Sequence, residues 1–334
     1  MLFPERSDNW RLGAKPAQAA FAAVAAAIAQ FEPVIVGTSA RQLSTARKLL
    51  PEKVHLVEIP NDDAWMRDTG PTFVVNDRGE VRGVDWGFNA WGGLYTPCEG
   101  DQRVAQRVLE LAGCDRYQAP LVMEGGAFHV DGQGTLLTTE ECLLNPNRNP
   151  QLSRAEIEGH LADYLNIRQI IWLGRGVYHD ETSGHVDNLC CFIRPGEVVL
   201  TWTDDPVDPQ YDISREAYER LKSARDAQGR ELQVHKLHQP NPIYLIEEDI
   251  LGIEQGEAGY QRRVGDRMAA SYVNFYIANG GVIVPAFGDP HDEEARYTLQ
   301  TLFPDRRVVS VPSREVLLGG GNIHCITQQQ PSRV

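Results

Sequence analysis

No stretch of this 334-residue sequence is apolar for long enough to cross a bilayer. The most apolar run, residues 17–31, is alanine-rich, carries Gln18 and Gln30, and reads instead as a helix packed on the body of the protein. The first residues, Met1-Leu2-Phe3-Pro4-Glu5-Arg6-Ser7-Asp8, lack the basic and apolar regions of a secretory signal, so a cytoplasmic location and no membrane partner are expected. Paired cysteine spacings are missing too: Cys98, Cys114, Cys142, Cys190, Cys191 and Cys325 form no C-x-x-C, and reduced thiols are expected. Positive charge is in deficit. A net charge of −14 lacks the concentrated Lys/Arg surface that phosphate binding needs, so no nucleic-acid partner is expected, while a cationic substrate would suit it. Neither H-E-x-x-H nor a G-x-G-x-x-G opening an early helix occurs, which leaves no motif for a metal or a dinucleotide cofactor.

What is present is a hydrophobic fraction of 42%, enough for a substantial core. Helix signals alternate with short β-branched runs, the pattern of a mixed α/β fold. Ser153-Arg154-Ala155-Glu156 is a capping box that should open a helix. Others are expected over residues 101–112, with Gly113 as a left-handed stop, from Ser214 toward Gly229, and over residues 290–303. Strands are expected over residues 34–36, 54–59, 72–75, 136–138, 170–173, 189–193, 198–202, 243–246, 282–284 and 308–311. No Gly/Ser-rich linker divides the series, so residues 1–334 read as one domain, and its strand-helix units repeat at roughly sixty residues.

Five segments join glycine-rich backbone to titratable or aromatic side chains: 65–71, 89–93, 124–126, 184–188 and 319–325. Each lies where a strand should meet a loop, the usual place for binding and catalytic groups. Cys325 follows Gly319-Gly320-Gly321-Asn322-Ile323-His324, and the glycines permit close backbone approach. His185 and Asp187, two residues apart, should point to the same side of an extended segment, giving one cavity a proton carrier and a carboxylate. Asp68 and Glu124 sit at glycine-rich turns, where a carboxylate serves either as a loop cap or as a site residue.

Together these segments resemble the agmatine deiminase family of the guanidine-modifying enzymes. The resemblance runs from Trp65-Met66-Arg67-Asp68 to Cys325-Ile326-Thr327-Gln328-Gln329. Its most distinctive block is Glu124-Gly125-Gly126-Ala127-Phe128-His129-Val130-Asp131-Gly132, continuing through Thr138-Thr139-Glu140-Glu141-Cys142-Leu143-Leu144-Asn145-Pro146-Asn147-Arg148-Asn149-Pro150. It implies a five-bladed α/β propeller, the pentein fold, built from ββαβ-type modules around a central active site. It also implies hydrolysis of agmatine to N-carbamoylputrescine and ammonia without a cofactor or metal, in a homo-oligomer. By the same resemblance Cys325 is the nucleophile, His185 the general acid/base, Asp68 and Asp187 the guanidinium clamp, and Glu124 the partner of His185. Trp65 and Trp91 would wall the aliphatic stem, and Asp180 or Glu181 would meet the distal amine. An arginine or peptidyl-arginine deiminase or an amidinotransferase would keep the same core, whereas a ribosome-associated propeller would not need it. The sequence departs from the family pattern at Ser183, where relatives carry Asn or Asp, and at Gln330, before Pro331.

Overall fold

A computed structural model describes residues 1–254 and 259–332. Four three-stranded sheets share one plan. In the first, β3 (Thr72–Val75) pairs antiparallel with β4 (Val81–Gly87), and β4 pairs parallel with β5 (Asp115–Val122) after a helix at Val104–Ala112. The second repeats this with β6 (Phe128–Val130), β7 (Thr135–Thr139), the helix Arg154–Leu165 and β8 (Gln169–Leu173). The third uses β9 (Cys190–Arg194), β10 (Glu197–Trp202), the helix Gln210–Ser223 and β11 (Gln233–His238). The fourth uses β12 (Tyr276–Ala278), β13 (Gly281–Ala286), the helix Asp292–Leu302 and β14 (Arg307–Pro312).

The fifth sheet contains β1 (Ile35–Thr38) and β2 (His55–Glu58), parallel across the helix Leu43–Leu49. Its other edge is capped by the chain start: Phe3 N donates to Gly37 O at 2.9 Å and Gly37 N to Met1 O at 2.9 Å. The same cluster of buried side chains takes in Leu2, Phe21 and Val36 together with Val311, Ile323, Cys325 and Ile326. The two ends of the chain therefore share one core, which closes the ring of blades. The ββαβ plan explains the regular spacing: a parallel third strand requires a crossover, and a helix supplies it.

Local signals account for most elements. Ser153 accepts from Glu156 N while Glu156 accepts from Ser153 N at 2.7 Å, so the capping box is made as read. Gly113 is left-handed at φ 61° and stops its helix, although the first turn, Asp101–Arg103, is 3-10. The alanine-rich helix spans Lys15–Ile28 and is buried along one side.

Three expectations fail. Residues 243–246 form no strand, only an isolated bridge between Tyr244 and Arg267, because their neighbours in space are loops rather than an open sheet edge. The helix expected from Ser214 begins at Gln210 and ends at Ser223, with Gly229 inside a separate turn whose donors bond Asp226. His185 and Asp187 do not lie on an extended segment: His185 precedes a helical turn, Val186–Leu189, that contains Asp187. The three-residue strands β6 and β12 were not anticipated, nor were the longer β4, β5 and β11. Their polar residues hid them: Asp85 of β4 is held by Arg116 of β5 at 2.6 Å, and Lys236 of β11 lies 3.8 Å from the Trp202 ring centroid.

Ser153→Ala removes one side of the capping box and is expected to cost about 1 kcal/mol of stability, read from the denaturant midpoint at unchanged slope.

Candidate active site

The chemistry-bearing residues occupy the same place in successive blades, the turn leading into the first strand. Asp68 lies in the helical turn Met66–Thr69 before β3, and Gly126 in the 3-10 turn Gly125–Ala127 before β6. His185 and Asp187 precede β9, and Asn274 precedes β12. Cys325 comes from the chain after β14, tied in by Arg67 N donating to Cys325 O at 3.0 Å. A ring of equivalent turns thus converges on one buried point.

Cys325 is 5% exposed. Its Sγ receives Asn274 Nδ2 at 3.2 Å and lies 3.5 Å from Asp187 Oδ2. Asn274 Oδ1 also accepts from His324 N at 2.9 Å, so this one amide holds both the thiol and its backbone. Asp187 Oδ2 accepts from His324 Nδ1 at 2.7 Å, while Oδ1 has no partner among the described residues. Asp68 Oδ2 accepts from Trp91 Nε1 at 3.0 Å and Oδ1 from Gly126 N at 2.9 Å. His185 Nδ1 is 4.0 Å from Asp68 Oδ1, and its Nε2 is 3.4 Å from Glu124 Oε2. That second approach lacks hydrogen-bond alignment, leaving both atoms unpartnered, as is common for catalytic pairs before substrate arrives.

Gly126 stands where these groups meet. A Cβ there would lie 2.5 Å from His185 Nδ1 and 3.0 Å from both Asp187 Oδ2 and Asp68 Oδ1. Gly321 is similarly placed, since its Cβ would come 2.6 Å from the Trp65 ring and 3.1 Å from Cys325 Sγ. The glycines let backbone pass where any side chain would fill the site.

Electrostatics divide the carboxylates. Burial raises the pKa of Asp68 to about 6, with Asp187 and Glu124 adding to the effect of burial and His185 opposing it. Burial acts against Glu124 as well, but Arg148, bonded at 2.7 Å, and His185 hold its pKa below the ordinary value. Asp187 is likewise held low against burial by His324, His185 and Arg67. Burial disfavours the His185 imidazolium, yet Asp68, Cys142 and Glu124 raise its pKa well above 6.5. Burial, then Asp187 and Asp68, push the Cys325 thiol well above 9. The surroundings therefore favour the neutral thiol at Cys325 and the protonated ring at His185.

Glu124, Cys142 and His185 bring potential metal-ligating atoms within 4.8 Å of one another. Arg148 places a fixed positive charge on Glu124, with its other nitrogens donating to Asn147 Oδ1 and Thr182 O, and that charge opposes a metal cation there.

The remaining predicted residues divide. Trp91 spends its N–H on Asp68, and Trp65 donates to Asp63 Oδ2 at 3.0 Å while its ring lies against Gly321. Asp180 is occupied by Thr182 and Asn188. Glu181 lies beside Gly320 and is gripped by Arg262 at 2.9 and 3.1 Å. Ser183 has φ +67°, which explains why Asn or Asp suits that place; Gln330 is exposed. Asn274, Arg148 and Gly126 were given no role in the sequence reading. Arg148 and Gly126 lie inside the distinctive block, whereas nothing in the sequence around Asn274 marks it.

Five blades around a buried cysteine, imidazole and paired carboxylates define a hydrolase of the guanidine-modifying propellers. The model of the Porphyromonas-type peptidyl-arginine deiminase family matches residues 1–331. An agmatine deiminase of Ectopseudomonas mendocina is 60% identical over 99% of this chain and 92% of its own. One of Pseudomonas fluorescens is 58% identical over the same shares. A solved structure of the Enterococcus faecalis agmatine deiminase superposes with a TM-score of 0.97 at 51% identity, covering 100% of this chain and 93% of that one. A C. jejuni agmatine deiminase with a cysteine replaced by serine and substrate bound has a TM-score of 0.85 at 25% identity, over 98% of this chain and 91% of that one. The chain belongs to the Porphyromonas-type peptidyl-arginine deiminase family, and within it to the agmatine deiminases.

Asp68 is the largest charge favouring the His185 imidazolium. Asp68→Asn is therefore expected to let His185 lose its proton at lower pH, read from the titration of its ring resonances by NMR.

Proposed function

We propose that this chain hydrolyses agmatine to N-carbamoylputrescine and ammonia through an amidino-thioether on Cys325, as one catalytic unit over residues 1–334. The observation that supports it most is the convergence of Cys325 Sγ, Asp187, Asp68 and His185 around the space kept open by Gly126. A planar guanidinium offers forked N–H donors, and two carboxylates accept them in fixed geometry. Asp187 has an unpartnered oxygen for this purpose.

Binding would also change the nucleophile. The guanidinium neutralises Asp187 and Asp68, two of the causes that hold the thiol protonated, so the thiolate becomes accessible when its target is in place. The thiol proton is lost to solvent, the thiolate sulfur adds to the guanidinium carbon, and the leaving nitrogen takes the His185 proton and departs as ammonia as its C–N bond breaks. Neutral His185, aligned by Glu124, then draws a proton from water as its oxygen bonds the carbon. The C–S bond breaks, and the sulfur leaves as thiolate.

In the same reading Trp65 walls the stem beside Gly321, and Trp91 orients Asp68 through its N–H. Glu181 meets the amine end next to Gly320, sharing its charge with Arg262, whereas Asp180 serves the loop that carries His185. A cytoplasmic location and a homo-oligomer, the latter to be decided by light scattering, belong to this proposal. No helix among the described residues is long and apolar enough to cross a membrane.

Ammonia release from agmatine, with arginine and a blocked arginyl peptide alongside, tests the assignment. Agmatine alone should react, Cys325→Ser should abolish the reaction, and His185→Ala should lower kcat by about 10²–10⁴-fold; turnover of arginine or its peptide instead would overturn the specificity.

Asp68 gives a pH test. A carboxyl is charged only above its pKa, so kcat/KM, which reports the free enzyme, should fall as pH drops through about 6, while Asp187 stays ionised.

A further inference from the structure

A cavity of about 150 Å³ adjoins the catalytic centre, lined by Arg67, His129, Asp187, Tyr276, His324 and Gln329 among others. It shares no lining residue with the small space of about 20 Å³ beside Glu181, Arg262 and Gly320, where the amine end is assigned. Its outer rim includes Gln329, which is exposed, and Ile277, which is half-buried. Its inner wall is Asp187, whose Oδ2 is 3.5 Å from Cys325 Sγ. The cavity therefore runs from the surface to a group in contact with the nucleophile.

The lining is unusual in charge. Arg67 is 5% exposed; among the described residues its side chain makes one hydrogen bond, from Nε to His324 O at 3.3 Å, and no ion pair. Burying a guanidinium without a carboxylate partner is costly, and water in the cavity is what can solvate it. The two imidazoles beside it are neutral: burial, then His324 and Arg67, bring His129 down to about 3, and burial and Arg67 lower His324. The volume has room for several waters, and polar partners line it.

The reaction needs such a route. Once agmatine fills the amine side, water must still reach the amidino carbon and ammonia must leave. Arg67 and Asp187 place one positive and one negative charge in the wall, so a cation gains no net attraction along it, while neutral water and ammonia need none. We propose that this cavity is a second opening to the Cys325 centre, admitting water to the amidino-cysteine and releasing neutral ammonia. The inference rests on the agmatine hydrolysis proposed above.

Hydroxylamine, a small neutral nucleophile larger than water, tests it. Its nitrogen bonds the amidino carbon as the C–S bond breaks, its proton passes to the sulfur, and an N-hydroxyguanidine forms in place of N-carbamoylputrescine. Ile277→Trp and Gln329→Trp narrow the rim without touching the reacting atoms. At fixed hydroxylamine concentration each should lower the ratio of N-hydroxyguanidine to N-carbamoylputrescine several-fold, with kcat falling and the thermal midpoint retained. Gln329→Trp, at an exposed position, keeps the test available should Ile277→Trp unfold. An unchanged ratio, with the amidino adduct on Cys325 seen by intact mass, would overturn the second opening alone. No adduct in the wild type would instead remove the hydrolytic reading on which it rests.

Discussion

Three carboxylates, Asp68, Glu124 and Asp187, are buried in one site, two of them on either side of the His185 ring, and the rest of the site exists to make that tolerable. Charge taken out of water without a partner is expensive. Arg148 answers Glu124, the His185 imidazolium sits between Glu124 and Asp68, and His324 Nδ1 hydrogen-bonds Asp187. The remaining imbalance shows at Asp68, whose pKa is carried up to about 6. On the proposed reading, a guanidinium between Asp68 and Asp187 would supply the missing positive charge, so the under-compensated site would favour its binding.

The same charges set the state of the sulfur. A thiolate beside two carboxylates is disfavoured until a cation stands between them, which protects Cys325 when no substrate is bound. Asn274 contributes neutral polarity at this point, with its amide nitrogen on the sulfur and its oxygen on the backbone of His324. A charged residue there would upset the balance that makes the thiol responsive to substrate.

Behind the reacting groups lies a second layer of fixed polar contacts. Asp63 accepts four N–H groups, from Asn9, Trp10, Ala64 and Trp65, and so fixes the indole that lies against Gly321 and Cys325. Asn9 also accepts from Arg262 at 2.8 Å, and Arg262 holds Glu181. The chain start, the wall beside Cys325 and the Glu181 side are thereby joined in one buried network, which explains why the first residues are as firmly packed as the core.

Much of this protein was legible without coordinates. Helix ends followed from local chemistry, as at Ser153 and Gly113, because caps act within a few residues. The five chemistry-bearing segments stood out because glycine beside a carboxylate, imidazole or thiol is a local pattern, and the family resemblance converted them into roles. Strands such as β4 and β11 were hidden, since their polar residues are satisfied by partners far along the chain. The meeting of Asn274 with Cys325, the pairing of Arg148 with Glu124 and of Arg262 with Glu181, and the cavity at Arg67 depend on how blades are set around a ring. Sequence determined which residues could do the chemistry; the tertiary structure decided which were brought together and how burial divided their charges, because desolvation and Coulomb interaction depend on distances that no local pattern contains.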